Sequence, residues 1–306
     1  EFRRVLFRSM NQATSNPPTV PSTGDTSRLY QERASEALEL LGLSVAGQHL
    51  DATSQRAAAE NWTYTHFLGY LLDGELQERH RKRVLLNLQF AKFPFIKRLS
   101  EFDFAAQPGL DRRLIDELAT GRYLSEGRNV VFLGPPGVGK TMLAIALTVM
   151  VAELGHRVYF TSALDLADKL SKALERNQLH RQLNMLMQPK VLLIDEVGYL
   201  QLDRVQSSLL FQVICNRYER GQPIMLTSNK AFGQWASVFA DDAVMASAAL
   251  DRLLHRCTVV NIRGDSYRLR EKRRSGAGIT QTPTSIKPEH DGGTNREYPM
   301  ADNEQR

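Results

Sequence analysis

The stretch that decides the fold is Gly134-Pro135-Pro136-Gly137-Val138-Gly139-Lys140-Thr141. It fits the pattern G-x-x-x-x-G-K-[ST], and it lies between an apolar run and an apolar stretch with helical spacing. In that context the glycines let backbone N–H groups surround a β-phosphate, Lys140 reaches the β- and γ-oxygens, and the Thr141 hydroxyl ligates Mg²⁺. Eight ordered positions argue against a chance glycine-rich turn. We predict a nucleotide site at residues 134–142, with Met142 as its last member.

A second apolar run ends in two carboxylates. Val191-Leu192-Leu193-Ile194 leads directly into Asp195 and Glu196. Because ligands of open parallel sheets bind at the carboxyl ends of the strands, we predict that Asp195 holds Mg²⁺ through water. Glu196 is then placed to polarise an attacking water, a role that separates hydrolases from nucleotide kinases. The alternative is that the two carboxylates only cap a following helix.

A third polar strand end is the segment Ile224-Met225-Leu226-Thr227-Ser228-Asn229. If its strand lies between the other two, Asn229 comes beside the γ-phosphate and can hold the lytic water. Taken alone, Thr-Ser-Asn is only a turn signal. The two upstream motifs favour the catalytic interpretation.

The region after Pro108-Gly109 alternates short apolar runs with helical stretches, which is typical of βαβ units and a parallel sheet. The predicted strands are 130–133, 158–160, 191–194, 224–227 and 258–262. The predicted helices are 141–154, 164–176, 205–220 and 243–255. The fold class is therefore α/β, a P-loop NTPase with a five-stranded parallel sheet, preceded by a small all-helical N-terminal domain.

Composition suggests four segments along the chain. Residues 1–27 are a polar leader, partly linker-derived because Met10 is a plausible start, and we expect it to be disordered. Residues 28–115 form the helical domain and 116–274 the ATPase domain. Residues 275–306 have the leader's composition and are expected to be a disordered tail.

Charge and apolar content restrict the class of protein. The 306 residues carry a formal charge of +5 with a pI near 9.2, which suits an anionic partner such as nucleic acid. The longest apolar stretch, 142–152, is short of the roughly 20 residues that a membrane span needs. Cys215 and Cys257 lack metal-ligand spacing and read as small core residues. We expect a soluble, cytoplasmic protein.

A basic, aromatic-flanked strip lies in the predicted helical domain. Phosphate-backbone contact is one interpretation of it, and a solvated helix face above a phenylalanine core is the other. Its cationic residues are Arg79, His80, Arg81, Lys82, Arg83, Lys92, Lys97 and Arg98, and its aromatic residues are Phe90, Phe93 and Phe95.

The three strand-end motifs, in this order and spacing, resemble the AAA+ ATPases. More narrowly, the chain from about Arg28 to Arg274 is similar to the IstB family of transposition helpers. The segments that carry this similarity are Arg98–Phe104, Gln107–Asp111, Asp116–Ala119, Leu192–Leu200, Thr227–Lys230, Asp251–His255 and Arg263–Leu269.

The resemblance implies an ATPase that assembles with ATP as a homo-oligomer on duplex DNA and recruits a cognate transposase. It assigns Arg252 as a finger that reaches a neighbouring subunit's γ-phosphate, and Arg268 as the sensor-II arginine on the subunit's own nucleotide. Without the resemblance, Arg252 reads as an ion-pair partner of Asp251 on an exposed helix face. A finger supplied in trans implies that the monomer hydrolyses ATP poorly.

Several alternatives stay open at the level of sequence. The bacterial replicative helicase loaders share the ATPase core and are the main competitor. A DNA-binding scaffold that uses ATP as a switch without turnover is disfavoured by Glu196, Asn229 and Arg252. A small-molecule kinase is disfavoured by the paired carboxylates, and GTP by the absence of an Asn-Lys-x-Asp element.

Overall fold

The computed structural model describes residues 23–264, 266 and 267, which form a helical N-terminal region followed by an α/β/α sandwich. The helices of the first region are α1 (Thr23–Leu40), α2 (Ser44–Ala59) and α3 (Tyr64–Ala91). Two 3₁₀ turns (Leu99–Glu101 and Phe104–Ala106) and helices α4 (Arg112–Ala119) and α5 (Arg122–Ser125) lead into the sheet.

The sandwich alternates strands and helices along the chain. Its strands are β1 (Asn129–Leu133), β2 (Val158–Ser162), β3 (Val191–Val197), β4 (Ile224–Ser228) and β5 (Cys257–Asn261). Its helices are α6 (Lys140–Glu153), α7 (Ala163–Glu175), α8 (Leu179–Leu186), α9 (Arg204–Glu219) and α10 (Ala243–Leu254), with a 3₁₀ segment at Phe232–Val238. All five predicted strands and all four predicted helices are present, while α8 was not predicted.

All strand pairings in the sheet are parallel, in the order β2-β3-β4-β1-β5. The predicted five-stranded parallel sheet is confirmed. Strand β4 lies between β1, which leads into the phosphate loop, and β3, which carries the carboxylates. This is the condition on which the prediction for Asn229 depended.

Alternating residues of each strand bury their side chains on opposite faces of the sheet. On one face Val131, Leu192 and Leu226 pack against α7 to α10. On the other face Phe132 and Leu193 pack against α4 to α6. Because both faces are covered by helices, the middle of most strands is a run of apolar residues, as expected for a parallel sheet, and the polar residues lie mainly at the strand ends.

The N-terminal helices have a small core of their own, formed by Ala46, Leu50 and Leu71. The predicted boundary at 115/116 does not coincide with a gap in packing, because Ala91 and Phe102 belong to the same core cluster as the sheet. Helix α1 begins at Thr23, so residues 23–27 are helical, although the sequence predicted a disordered leader through 27. Residues 1–22 and the tail 275–306 lie outside the described residues.

A buried guanidinium fixes the loops that precede β3 and β4. Arg217 is fully buried near the end of α9, where it donates hydrogen bonds to four backbone carbonyls. The acceptors are Leu186, Pro189, Lys190 and Pro223. Burial lowers the pKa of Arg217 to about 9, so the side chain remains charged at neutral pH.

Two further expectations concern the cysteines, which the sequence placed in the core, and the apolar stretches, which the sequence found too short for a membrane span. Cys215 and Cys257 are free thiols and only partly buried, and burial raises the pKa of Cys257 to about 12. None of the helices in the described part of the chain has the length and apolar content to cross a membrane.

Candidate nucleotide-binding site

The phosphate loop joins β1 to α6 in a conformation that its glycines make possible. Gly137 and Gly139 have φ angles of 82° and 97°, in the left-handed region that side chains disfavour. A Cβ atom at Gly139 would lie 2.9 Å from the Phe102 ring, and one at Gly137 would overlap Ser266. The N-terminal connection and the segment after β5 therefore both pack on this loop.

Lys140 begins α6 and folds back over the loop. Its Nζ atom donates hydrogen bonds to the carbonyl oxygens of Gly134 and Pro135, each at 2.8 Å. The residue is only 9% exposed, so the ammonium group is held at the mouth of the loop rather than in bulk water. Since the helix N-terminus contributes further positive potential, the loop suits a polyanionic ligand.

A hydroxyl–carboxylate network links the phosphate loop to the neighbouring strands. The Thr141 hydroxyl donates to Asp195 Oδ1 at 2.9 Å, and the Thr227 hydroxyl donates to the same oxygen at 2.5 Å. Asp195 is 6% exposed and Thr227 is 1% exposed. The two residues predicted to hold Mg²⁺ are therefore in direct contact at the carboxyl edge of the sheet.

Glu196 occupies a strained position beside this network. The sequence predicted that the strand ends at Ile194, but β3 continues to Val197 and contains a bulge between these two residues where it pairs with β4. At the bulge Glu196 has a φ angle of 59°, unusual for a non-glycine residue, and its side chain is exposed. Its N–H donates to Thr227 Oγ1 at 3.0 Å.

The bulge turns successive carboxylates to different environments, Asp195 inward and Glu196 outward. The helix-cap alternative fails, because the next helix, α9, is capped by Asp203, whose carboxylate accepts from the Gln206 N–H at 2.8 Å. Thr227 is the residue that sequence reasoning missed. Its signal was a hydroxyl at the end of an otherwise apolar buried strand.

The remaining predicted residues occupy different places. Asn229 follows β4 at the carboxyl edge of the sheet and is exposed. Met142 is partly buried against the core beneath the loop. Arg268 lies outside the described residues, although the N–H of Tyr267, one residue earlier, donates to the Gly137 carbonyl at 2.9 Å.

Arg252 lies at the opposite edge of the sheet from the phosphate loop. It is in the last turn of α10, just before β5 begins, whereas Lys140 follows the end of β1. Its Nη1 donates to the Ala248 carbonyl at 2.8 Å, and its guanidinium lies 5.3 Å from the Phe211 ring centroid. No ion pair between Arg252 and Asp251 occurs among the described residues, so the ion-pair interpretation is not supported.

The basic strip is largely neutralised by neighbouring carboxylates. Arg81 contacts Glu78 through two hydrogen bonds of 2.7 Å, and Arg98 contacts Glu153 at 3.0 Å. Arg79, Lys82 and Lys97 also have carboxylate partners. Arg83 and Lys92 are exposed and have no ion pair within the described ranges. These two are the strip's most available cations.

The side chains present fit ATP and Mg²⁺. The loop offers backbone donors and a lysine for phosphate oxygens, and Thr141 and Asp195 are hard oxygen ligands of the kind Mg²⁺ prefers. Their existing contact means that a metal ion at this edge would meet two oxygen donors that are already adjacent.

The family model for IstB-like ATP-binding proteins matches residues 34–275, a span that includes the loop, the carboxylates and Arg252. The chain belongs to this family. Two relatives of this IstB-like protein are named as ATP-binding proteins of insertion sequences. The IS21 protein of Pseudomonas aeruginosa is 43% identical over 81% of this chain and 93% of its own length. The IS5376 protein of Geobacillus stearothermophilus is 42% identical over 79% and 96%.

Similarity to solved structures is much weaker. The crystal structure of the DnaC helicase loader superposes on this IstB-like protein with a TM-score of 0.42 and 23% identity, over 48% of this chain and 85% of that chain. This likeness is too remote to bear on function. Membership of the ATP-binding family rests on the sequence relatives, and the fold rests on the strand order described above.

Proposed function

We propose that this protein is a Mg²⁺-dependent ATPase that assembles with ATP as a homo-oligomer on duplex DNA and assists a transposase in choosing its target. The observation that carries the ATPase assignment is the Thr141–Asp195–Thr227 network with Glu196 on the adjacent bulge. The transposase role is inferred from the relatives, which are named for the insertion sequences that contain them.

Each side chain at the carboxyl edge has a distinct task in hydrolysis. Lys140 and the loop N–H groups bind the phosphates and offset charge that develops on the γ-oxygens. Thr141 and Asp195 would hold a Mg²⁺ ion, which would neutralise phosphate charge. Glu196 accepts a proton from the attacking water, while Asn229 orients that water. Thr227 fixes the carboxylate of Asp195 and the backbone of Glu196 relative to each other.

Assembly is proposed because one subunit cannot bring its own Arg252 to its own nucleotide. The strands between the two edges are five residues long, or roughly 16 Å at about 3.3 Å per residue, more than an arginine side chain spans. A neighbouring copy could present its Arg252 to the γ-phosphate, where such a residue is worth about 10³–10⁵ in rate. The predicted sensor-II role of Arg268 belongs to the same proposal.

Steady-state ATP hydrolysis, measured with and without duplex DNA and alongside light scattering, tests this function. We expect DNA to stimulate turnover together with assembly, and Arg252→Ala to lose the stimulation while still binding nucleotide. Lys140→Ala should not bind nucleotide at all. Turnover that is indifferent to DNA but stimulated by a helicase ring would favour the helicase-loader alternative.

Subunit mixing separates a finger in trans from a local effect of Arg252. Arg252→Ala subunits retain an intact hydrolytic site, and Glu196→Gln subunits retain an intact arginine. A mixture of the two should therefore hydrolyse ATP faster than either variant alone. A mixture no faster than the average of its components would argue against the finger. As a control, Arg252→Ala subunits are mixed with Lys140→Ala subunits. Because Lys140→Ala subunits should not bind nucleotide and therefore should not assemble, this mixture should show no gain in hydrolysis.

A further inference from the structure

The guanidinium of Arg252 rests on an aromatic ring from the neighbouring helix. Phe211 of α9 is partly buried at its contact with α10, and Arg252 lies over its face at 5.3 Å. One helical turn further along α9, burial raises the pKa of the Cys215 thiol, and the positive charge of Arg252 opposes this effect. The Arg252 guanidinium therefore has a defined contact with α9, through the Phe211 ring.

We infer that Phe211 is a positioning residue for the arginine finger, so this inference rests on the proposed function. An arginine has large rotamer freedom, and ordering it at the moment of catalysis costs free energy. The Phe211 face and the Ala248 carbonyl together hold the guanidinium in one orientation. Only Nη1 donates a hydrogen bond to the described residues, so further N–H donors remain for a phosphate of the neighbouring copy.

A neighbouring pair on the same two helices provides a matched control. Tyr218 of α9 packs edge-on against His255, with ring centroids 5.7 Å apart. It resembles the Phe211 contact in being an aromatic ring of α9 against a side chain from the end of α10, but it does not hold Arg252. Tyr218→Leu thus removes a comparable contact from the same helix interface.

The test is a double-mutant cycle on kcat for ATP in the presence of duplex DNA. Phe211→Leu should lower kcat about fivefold, the equivalent of a cation–π contact of about 1 kcal/mol, with little change in KM. Phe211→Tyr keeps an aromatic face and should retain at least half of the wild-type kcat. In the Arg252→Ala background, Phe211→Leu should have no further effect, because the group it positions is gone. Tyr218→Leu should leave kcat within twofold of wild type.

The outcomes distinguish this inference from the proposed function. If Arg252→Ala hydrolyses ATP at the wild-type rate, Arg252 is not an arginine finger, and the inference about Phe211 is wrong as well. If Arg252→Ala is impaired but Phe211→Leu is normal, only the inference fails. Equal losses from Phe211→Leu in both backgrounds would also overturn it, since they would indicate a structural role. Thermal unfolding and fluorescent-nucleotide binding for each variant establish that the folded subunit and its nucleotide site are intact.

Discussion

Thr227→Val is the substitution that tests the hydroxyl network most directly. Valine has nearly the same shape as threonine, so the change removes two hydrogen bonds and little volume. The hydroxyl donates to Asp195 at 2.5 Å and accepts from the Glu196 N–H at 3.0 Å, and the residue is 1% exposed. Losing a bond to a buried carboxylate costs about 1.5–3 kcal/mol, and an amide without its acceptor about 1–3 kcal/mol.

We expect Thr227→Val to lose about 3 kcal/mol of stability, because the Glu196 amide is only partly buried and recovers some hydration. At about 2–4 °C per kcal/mol for a chain of this size, its melting temperature should fall by roughly 6–12 °C. Thr148→Val is the matched control. That hydroxyl is also fully buried, but it donates to the Ala144 carbonyl within α6, so its loss should cost about 1 kcal/mol.

The same variant should weaken metal-dependent nucleotide binding. Residues that orient a metal ligand typically contribute about 10–100-fold to metal affinity, so the Mg²⁺ concentration for half-maximal ATP-analogue binding should rise at least tenfold. Thr227→Ser retains the hydroxyl and should behave like wild type in this assay. A Thr227→Val protein with the melting temperature and Mg²⁺ dependence of the Thr148→Val control would refute the reasoning.

Three further experiments, each with its own substitutions, test the buried arginine, the catalytic base and the basic strip. Arg217→Met leaves four buried carbonyls without their donor, so the free energy of unfolding measured in urea should fall by more than about 4 kcal/mol. The control Arg220→Met changes an exposed side chain at the end of the same helix, and it should change that free energy by less than about 0.5 kcal/mol. Glu196→Gln should bind ATP normally but release phosphate at least about 100-fold more slowly, and normal turnover would contradict its role as a base. Charge reversal at Arg83 and Lys92 should make the negative slope of log K against log salt for duplex DNA shallower by about 2. An unchanged slope would indicate that the DNA contact lies elsewhere.

The features that sequence could predict are local in the chain. The phosphate loop has a fixed pattern, and each strand is an apolar run bounded by turn residues, so the sheet and its helices follow from periodicity. Helix α8 was missed because Leu179–Leu186 has only eight residues, four of them polar, and is shorter than the window of about 11–18 residues over which helical periodicity is read. The helical start at Thr23 was missed because the composition of residues 1–27 describes the segment as a whole and does not locate the residue at which a helix begins.

The features that sequence could not predict depend on register or on converging loops. The role of Thr227 arises because the β3 bulge places Asp195 and the Glu196 amide around one hydroxyl, and a bulge leaves no reliable local signal. Arg217 stands in a polar run at the end of α9, where an exposed side chain is the default expectation. Its burial follows from carbonyls that meet only when the loops before β3 and β4 come together.

The positions of Arg252 and the phosphate loop constrain how copies of this protein can meet. One lies at the amino edge of the sheet and the other at the carboxyl edge, so a contact that joins them uses two different surfaces of the same subunit. Such a head-to-tail contact repeats from copy to copy, and it produces a ring if the rotation closes and a helix if it does not. A two-fold dimer joins Arg252 to the nucleotide of the other copy only if one interface patch contains both edges of the sheet, since residue i then contacts residue j and j contacts i. If hydrolysis depends on Arg252, such a dimer completes both of its sites at once and is closed, whereas a head-to-tail assembly completes one site at each contact.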